Sequence, residues 1–202
     1  MKQKFSVIES TCVPLPLENV DTDQIIPARF LKATSRDERF FGKNLFYDWR
    51  YYPDGTPAPE FVLNDKRYSG GKILVAGRNF GCGSSREHAA WALAGYGFKA
   101  VISSFFADIH KQNELNNFVL PVVVTPDFLQ ELFDTVDADP AARVRIDVHD
   151  QTVTNLSTGR TESFELNPYK KYCLENALDD IDFLLLQREK IEAYENSIKD
   201  RL

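Results

Sequence analysis

Residues 78–93, RNFGCGSSREHAAWAL, crowd small and polar side chains into one turn. Gly81 and Gly83 bracket Cys82, and Ser84, Ser85, Arg86, Glu87 and His88 follow before an alanine-rich run. The apolar KILVAG (72–77) reads as a buried strand leading in, and a helical pattern over 84–96 leads out. A glycine-rich turn between strand and helix presents unpaired backbone N–H groups at the positive end of the helix, which suits an anion. The nucleotide spacings are not met. GxxxxGK[ST] would need Gly-Lys where Cys82-Gly83 stand, and GxGxxG fits Gly81 and Gly83 but has Arg86 in its third place. The hydrolase elbow GxSxG fails because Ser84 follows Gly83 directly. Arg86 offers a planar fork that matches a carboxylate.

Each residue also has a plain structural reading. Ser84 with Glu87 three positions on forms the pattern of a capping box. His88 reads as an ordinary satisfied histidine, in the core or at the surface. Cys82 reads as an ordinary thiol, one whose pKa a helix N-terminus would lower. Ala89, Ala90, Ala92 and Ala94 let a helix lie close to a sheet.

The elements that must position this turn follow from periodicity. KAVISSF (99–105) and VLPVVVT (119–125) are strand patterns; 107–117 and 126–136 are helical, the latter with Pro126 near its start. Alternation of this kind predicts βαβ units and a parallel sheet. Upstream, 4–10 reads as a short strand, and 14–30 as irregular because Pro14, Pro16 and Pro27 interrupt any helix. Residues 35–71 show no period and carry eight aromatics between Phe40 and Phe61. They fit either a loop folded over its own domain or a partner-facing surface. After residue 142 the pattern becomes short alternating strands (143–149, 151–156, 161–166), then a helical tail over 168–202. In the tail, Ile181, Leu184, Leu185, Arg188, Ile191, Tyr194 and Ile198 keep helical spacing, which predicts one packed stripe.

At 202 residues, 43% hydrophobic and 27% charged, the chain is expected to form a single domain, 1–202. Its net charge of −6 argues against a nucleic-acid surface. No run has the length of a membrane span or a signal-peptide core, so a cytoplasmic protein is expected. Cys12, Cys82 and Cys173 are scattered and form no CxxC pair, and His88, His110 and His149 form no close pair. No metal site built by this chain alone is expected.

GRNFGCGSSREHAAWAL (77–93) closely resembles the active-site loop of the swivelling domain of the aconitase superfamily. NVDTDQIIPARFL (19–31) and FFADIHKQNELNNFVLP (105–121) resemble two further signatures of that family, in the right order. The tail over 173–195 looks like that of the bacterial small subunits of 3-isopropylmalate dehydratase.

The resemblance implies an α/β swivelling domain with a small parallel βαβ core, additional β-strands and C-terminal helices. It implies a hydro-lyase that moves a hydroxyl between adjacent carbons, converting 2-isopropylmalate to 3-isopropylmalate through 2-isopropylmaleate. The [4Fe–4S] cluster is expected on a separate large subunit, with 40–61 as the candidate surface for that partner. Carried onto this sequence, Ser84 is the base, and Gly83, Ser85 and Arg86 bind substrate. Phe30, Leu31, Lys32 and Ala33 align with the recognition loop, while Asp21, Thr22 and Asp23 read as structural. Phe118 departs from the family, standing where glycine is common, so Asn116 or Asn117 is expected to end the helix. The alternatives are a small subunit for citraconate or homoaconitate, or a stand-alone anion-binding or regulatory module, RNA binding included; the acidic charge speaks against RNA.

Overall fold

The computed structural model describes residues 2–32 and 37–199. Strand β1, Val7–Leu15, is the hinge of the architecture. Its first half alternates exposed and buried residues and pairs antiparallel with Arg143–Asp147. Its second half, Cys12–Leu15, pairs parallel with Ile73–Ala76. The strand starts and ends later than the expected 4–10 and runs through Pro14. Pro14 lies past the antiparallel register, where β1 has a ladder partner on one side only, so its missing N–H is tolerated.

The segment expected to be irregular contains short helices. Helix α1 is Thr22–Ile25, and a 3-10 turn spans Ala28–Lys32. Helices α2 (Glu38–Lys43) and α3 (Tyr47–Arg50) follow, with Asp37 accepting from the Arg39 and Phe40 N–H groups to cap α2. They are too short to show a period. The aromatic segment folds over its own chain. Phe41 and Phe46 are fully buried, and Tyr52 is the mainly exposed aromatic within 40–61.

Beyond it the expected alternation holds. Strand β2 (Ile73–Ala76) leads to α4 (Glu87–Tyr96), β3 (Ala100–Ser103), α5 (Asp108–Asn116), β4 (Leu120–Val123) and α6 (Pro126–Ala138). β2 and β3 are buried on both faces, as helix-covered parallel strands are. Then β5 (Arg143–Asp147), β6 (Thr152–Asn155) and β7 (Thr161–Ser163) form an antiparallel meander. The sheet order is β4-β3-β2-β1-β5-β6-β7. The β2–α4–β3 and β3–α5–β4 crossovers advance in one direction, so right-handed connections place α4 and α5 on one face. There α4 touches α5 and α2, while α6 packs against β1 and β2 on its way to β5.

Helix α2 crosses α4 backbone to backbone. A Cβ on Gly95 would lie 2.0 Å from the Glu38 carbonyl oxygen, and one on Gly42 would lie 2.3 Å from the Gly95 carbonyl group. The Phe41 ring wedges beside this crossing, with its centroid 5.4 Å from those of Trp91 and His88.

Helix α5 ends at the expected asparagines, with Asn116 its last residue and Asn117 its C-cap, but the left-handed residue falls one position later. Asn117 has φ −112°, and Phe118 itself adopts the left-handed conformation at φ 56°. Burial of its ring against the core offsets that strain.

The tail forms α7 (Pro168–Asn176), α8 (Asp180–Leu186) and α9 (Arg188–Lys199). Lys170 Nζ donates to Asn116 Oδ1 at 2.8 Å and to Asp180 Oδ1 at 2.7 Å, tying α7 to α5 and α8. The predicted stripe is helical but does not pack. Ile181, Leu184, Leu185, Ile191, Tyr194 and Ile198 are all substantially exposed. Periodicity marks a face that would gain by burial and says nothing about what buries it.

The α2–α4 crossing yields a test. Gly95→Ala should lower stability by about 1–3 kcal/mol through overpacking. The readout is the urea midpoint, and an unchanged midpoint would contradict the contact.

Candidate functional site

The chain leaves β2 at Ala76 and enters α4 at Glu87. The loop between them is laced on both sides. On one side the Asn79 and Phe80 N–H groups donate to the Phe105 carbonyl at 2.9 and 3.2 Å, and Ala107 N–H donates to the Phe80 carbonyl at 3.1 Å. On the other, Gly81 and Cys82 N–H donate to the Val20 carbonyl at 2.8 and 3.2 Å, and Thr22 N–H donates to the Cys82 carbonyl at 2.9 Å. The three stretches that carry the family resemblance thus meet here. Asn79, Gly81 and Gly83 have φ of 64°, 74° and 86°. Gly81 is also forced by contact, since a Cβ there would fall 2.0 Å from the His110 ring.

Ser84 is not the helix cap. Helix α4 starts at Glu87, Arg86 occupies the N-cap, and no side chain caps it. The Ser84 carbonyl accepts from Thr22 Oγ1 and from Arg86 N–H, each at 2.8 Å. This pins the serine backbone while both Ser84 and Ser85 stay exposed. The capping box forms instead at Asp21, which accepts from Gln24 N–H at 2.8 Å while the Gln24 side chain accepts from Asp21 N–H at 2.9 Å.

The Arg86 guanidinium pairs with Asp23. Asp21 and Thr22 therefore do structural work, as expected, but Asp23 reaches the site. No local spacing announces it, because the two charges are 63 positions apart in sequence. Two exposed hydroxyls and a guanidinium thus stand at the start of α4. The first N–H groups of that helix have no intrahelical partners, so the position favours a carboxylate.

Two other loop residues are tied into their surroundings. His88 lies against Trp91 with ring centroids 4.5 Å apart. Burial lowers its pKa, and Arg86 adds to the shift against the opposing charge of Glu87. Cys82 Sγ donates to the Asn19 carbonyl at 3.2 Å. Its thiol is pushed up, first by burial and then by the Asp21 charge, not lowered as a helix N-terminus alone would suggest.

In the recognition segment, the Phe30 ring is committed to Tyr47 and Phe40, with centroids at 5.0 and 6.1 Å. Arg29 covers that ring and pairs with Asp48. Leu31 packs on the core and Lys32 is exposed. Ala33 lies outside the described residues.

The chain's donors do not suit an iron–sulfur cluster. Cys12 is buried in β1, Cys173 is buried in α7, and Cys82 sits in the loop. Among the described residues no three potential ligands converge. Among them, too, no helix is long and apolar enough to cross a membrane.

The chain that folds this mixed sheet and pins this serine loop at the mouth of α4 belongs to the class of the aconitase C-terminal domain. The model of that domain matches residues 2–127, and a second model, LeuD_N, matches residues 130–168. The chain is 56% identical over 195 residues to a 3-isopropylmalate dehydratase small subunit of Azobacteroides pseudotrichonymphae, covering 96% of this chain and 98% of the relative. It is 57% identical over 197 residues to the protein of that name from Cytophaga hutchinsonii, covering 98% and 96%. A solved 3-isopropylmalate dehydratase structure (leuD) from Methanocaldococcus jannaschii matches with a TM-score of 0.67 at 25% identity, covering 94% of this chain and 99% of that one. Within the aconitase class, the chain belongs to the family of 3-isopropylmalate dehydratase small subunits.

The raised Cys82 pKa has a measurable sign. The thiolate is the reactive form, so labelling of the folded chain should lag that of the urea-unfolded chain at pH 7–8. The gap should narrow as pH rises through the folded pKa. Equal rates at pH 7 would refute the assignment.

Proposed function

We propose that this chain is the substrate-closing half of an isopropylmalate dehydratase, with Ser84 as the base and Arg86 as the carboxylate clamp. The observation that carries this is the pinned, outward-facing Ser84 beside the Arg86–Asp23 pair. Interconverting 2- and 3-isopropylmalate requires a proton to leave the carbon next to a carboxylate and a hydroxyl to leave its neighbour, giving the alkene and water. Water then adds back with the opposite placement. Ser84 Oγ takes the proton from carbon, and Arg86, with Ser85 and the Gly83 backbone, holds the carboxylate.

A serine hydroxyl in water is far too weak an acid to serve as alkoxide at neutral pH. The helix N-terminus and Arg86 stabilise the anion strongly only once water is excluded. In this chain Ser84 is exposed, so activity requires a second surface to cover it. That surface is the large subunit, which also carries the [4Fe–4S] cluster. The same reading makes residues 1–202 one cytoplasmic swivelling domain, and Lys32 the exposed described residue of the recognition segment, where related hydroxy acids would be discriminated.

The test uses the complex with cluster-loaded large subunit and follows the alkene by ultraviolet absorbance. Ser84→Ala should reduce kcat by about 10²–10⁴-fold with partner binding retained. Arg86→Lys should raise KM by about tenfold through loss of the bidentate fork, and Asp23→Asn should raise it by less. Retained turnover in Ser84→Ala removes the assignment. A substrate panel in which citraconate or homoaconitate outpaces isopropylmalate would move the chain to a neighbouring specificity.

A further inference from the structure

Beneath the serine loop lies a polar pair that the reaction does not use. His110 and Glu114, one turn apart on α5, are 2% and 0% exposed. His110 Nε2 lies 3.0 Å from Glu114 Oε1. Among the described residues none of the four side-chain nitrogen and oxygen atoms of the pair has a partner that meets hydrogen-bond geometry, so the close approach of Nε2 and Oε1 is the contact the pair makes. Burial pushes the Glu114 carboxyl up, and His110 opposes the shift. Such a pair is a poor stabiliser, because apolar side chains of similar volume usually serve as well or better.

Its placement gives it another use. The imidazole edge is the surface on which Gly81 rests, close enough that a Cβ would overlap it. The Phe80 ring stands edge-on to the imidazole, at 5.4 Å between centroids. Opposite, Gly81 N–H is held by the Val20 carbonyl at 2.8 Å. Gly81 is thus clamped between a hydrogen bond and a ring, three residues before Ser84. At the far end of the same helix, Asn117 Nδ2 donates to Glu87 Oε1 at 3.0 Å, so α5 also grips the first residue of α4.

We propose that His110 and Glu114 are a positioning pair for the serine loop: Glu114 orients the imidazole, the imidazole seats Gly81, and the seat sets where Ser84 and Arg86 stand. The proposal rests on Ser84 being the base, but its first readout does not. Cys82 is the one partly exposed thiol, since Cys12 and Cys173 are buried. Its labelling by a disulfide reagent in the isolated folded chain reports opening of the loop.

The decisive variant is His110→Phe/Glu114→Leu, which keeps a ring beside Gly81 but removes the polar pairing that orients it. Cys82 labelling should rise at least about tenfold while the thermal midpoint holds or increases. In the complex, kcat should fall about 10–100-fold with KM within about twofold, as for a displaced catalytic group. Glu114→Gln keeps an acceptor for the ring and should stay within about threefold of the parent on both readouts. If the double variant does not fold, Glu114→Leu alone, which leaves the imidazole without its carboxylate neighbour, carries the same expectations. Parent-rate labelling in the Leu variants overturns the proposal, as does a Glu114→Gln loss as large as theirs. Faster labelling with parent kcat leaves the seat standing and counts instead against Ser84 as the base.

Discussion

A single carbonyl oxygen, that of Val20, accepts from both Gly81 and Cys82. Much of the site hangs from it. The loop after β2 cannot run straight into α4, because residues 19–22 bind it on one side and residues 105–107 on the other. Each flanking stretch follows or leads an element anchored in the sheet or packed on it. The loop is therefore a short bridge between two supports, and its backbone is held up to and including the Ser84 carbonyl. That leaves the Ser84 and Ser85 side chains free to face outward while the main chain beneath them is fixed.

The Arg86–Asp23 pair belongs to the same economy of placement. Exposed ion pairs contribute little to stability, and Asp23 is half-exposed. What the pair supplies is orientation, by holding a long, flexible guanidinium at the helix mouth. Asp23 can do this because the Asp21 capping box fixes α1 and the Thr22 hydroxyl ties α1 to the Ser84 carbonyl. Three consecutive residues with similar side chains thus act at three different points: one caps, one ties and one aims.

The βαβ run from 72 to 136 was legible because apolar strands and longer helices leave strong periods, and each expected element there is found within a few residues of its place. The helices between 38 and 50 were not legible, since four to six residues hold too little pattern to separate from a loop. The Ser84–Glu87 capping box failed for a tertiary reason: the Ser84 carbonyl is taken by Thr22, and the helix starts later. Phe118 could adopt a backbone shape that favours glycine because its ring gains burial, which local propensity does not weigh. The serine loop itself was readable from its residues, whereas Asp23 became visible only when the fold joined sequence-distant segments.

The position of β1 at the centre of the sheet has a consequence in time. Val7–Thr11 cannot pair with Arg143–Asp147 until more than a hundred further residues have been synthesised, and Phe5 N–H waits for the Leu174 carbonyl. The parallel half, closed by β2 to β4, has nearer partners. Contacts of such long sequence separation pay their loop-closure entropy before they return anything. During synthesis the first strand therefore emerges early and is completed late, with its outer edge open until the meander arrives. A chain cut short before β5 would keep the serine loop's supports and lose the strand that closes the sheet around them.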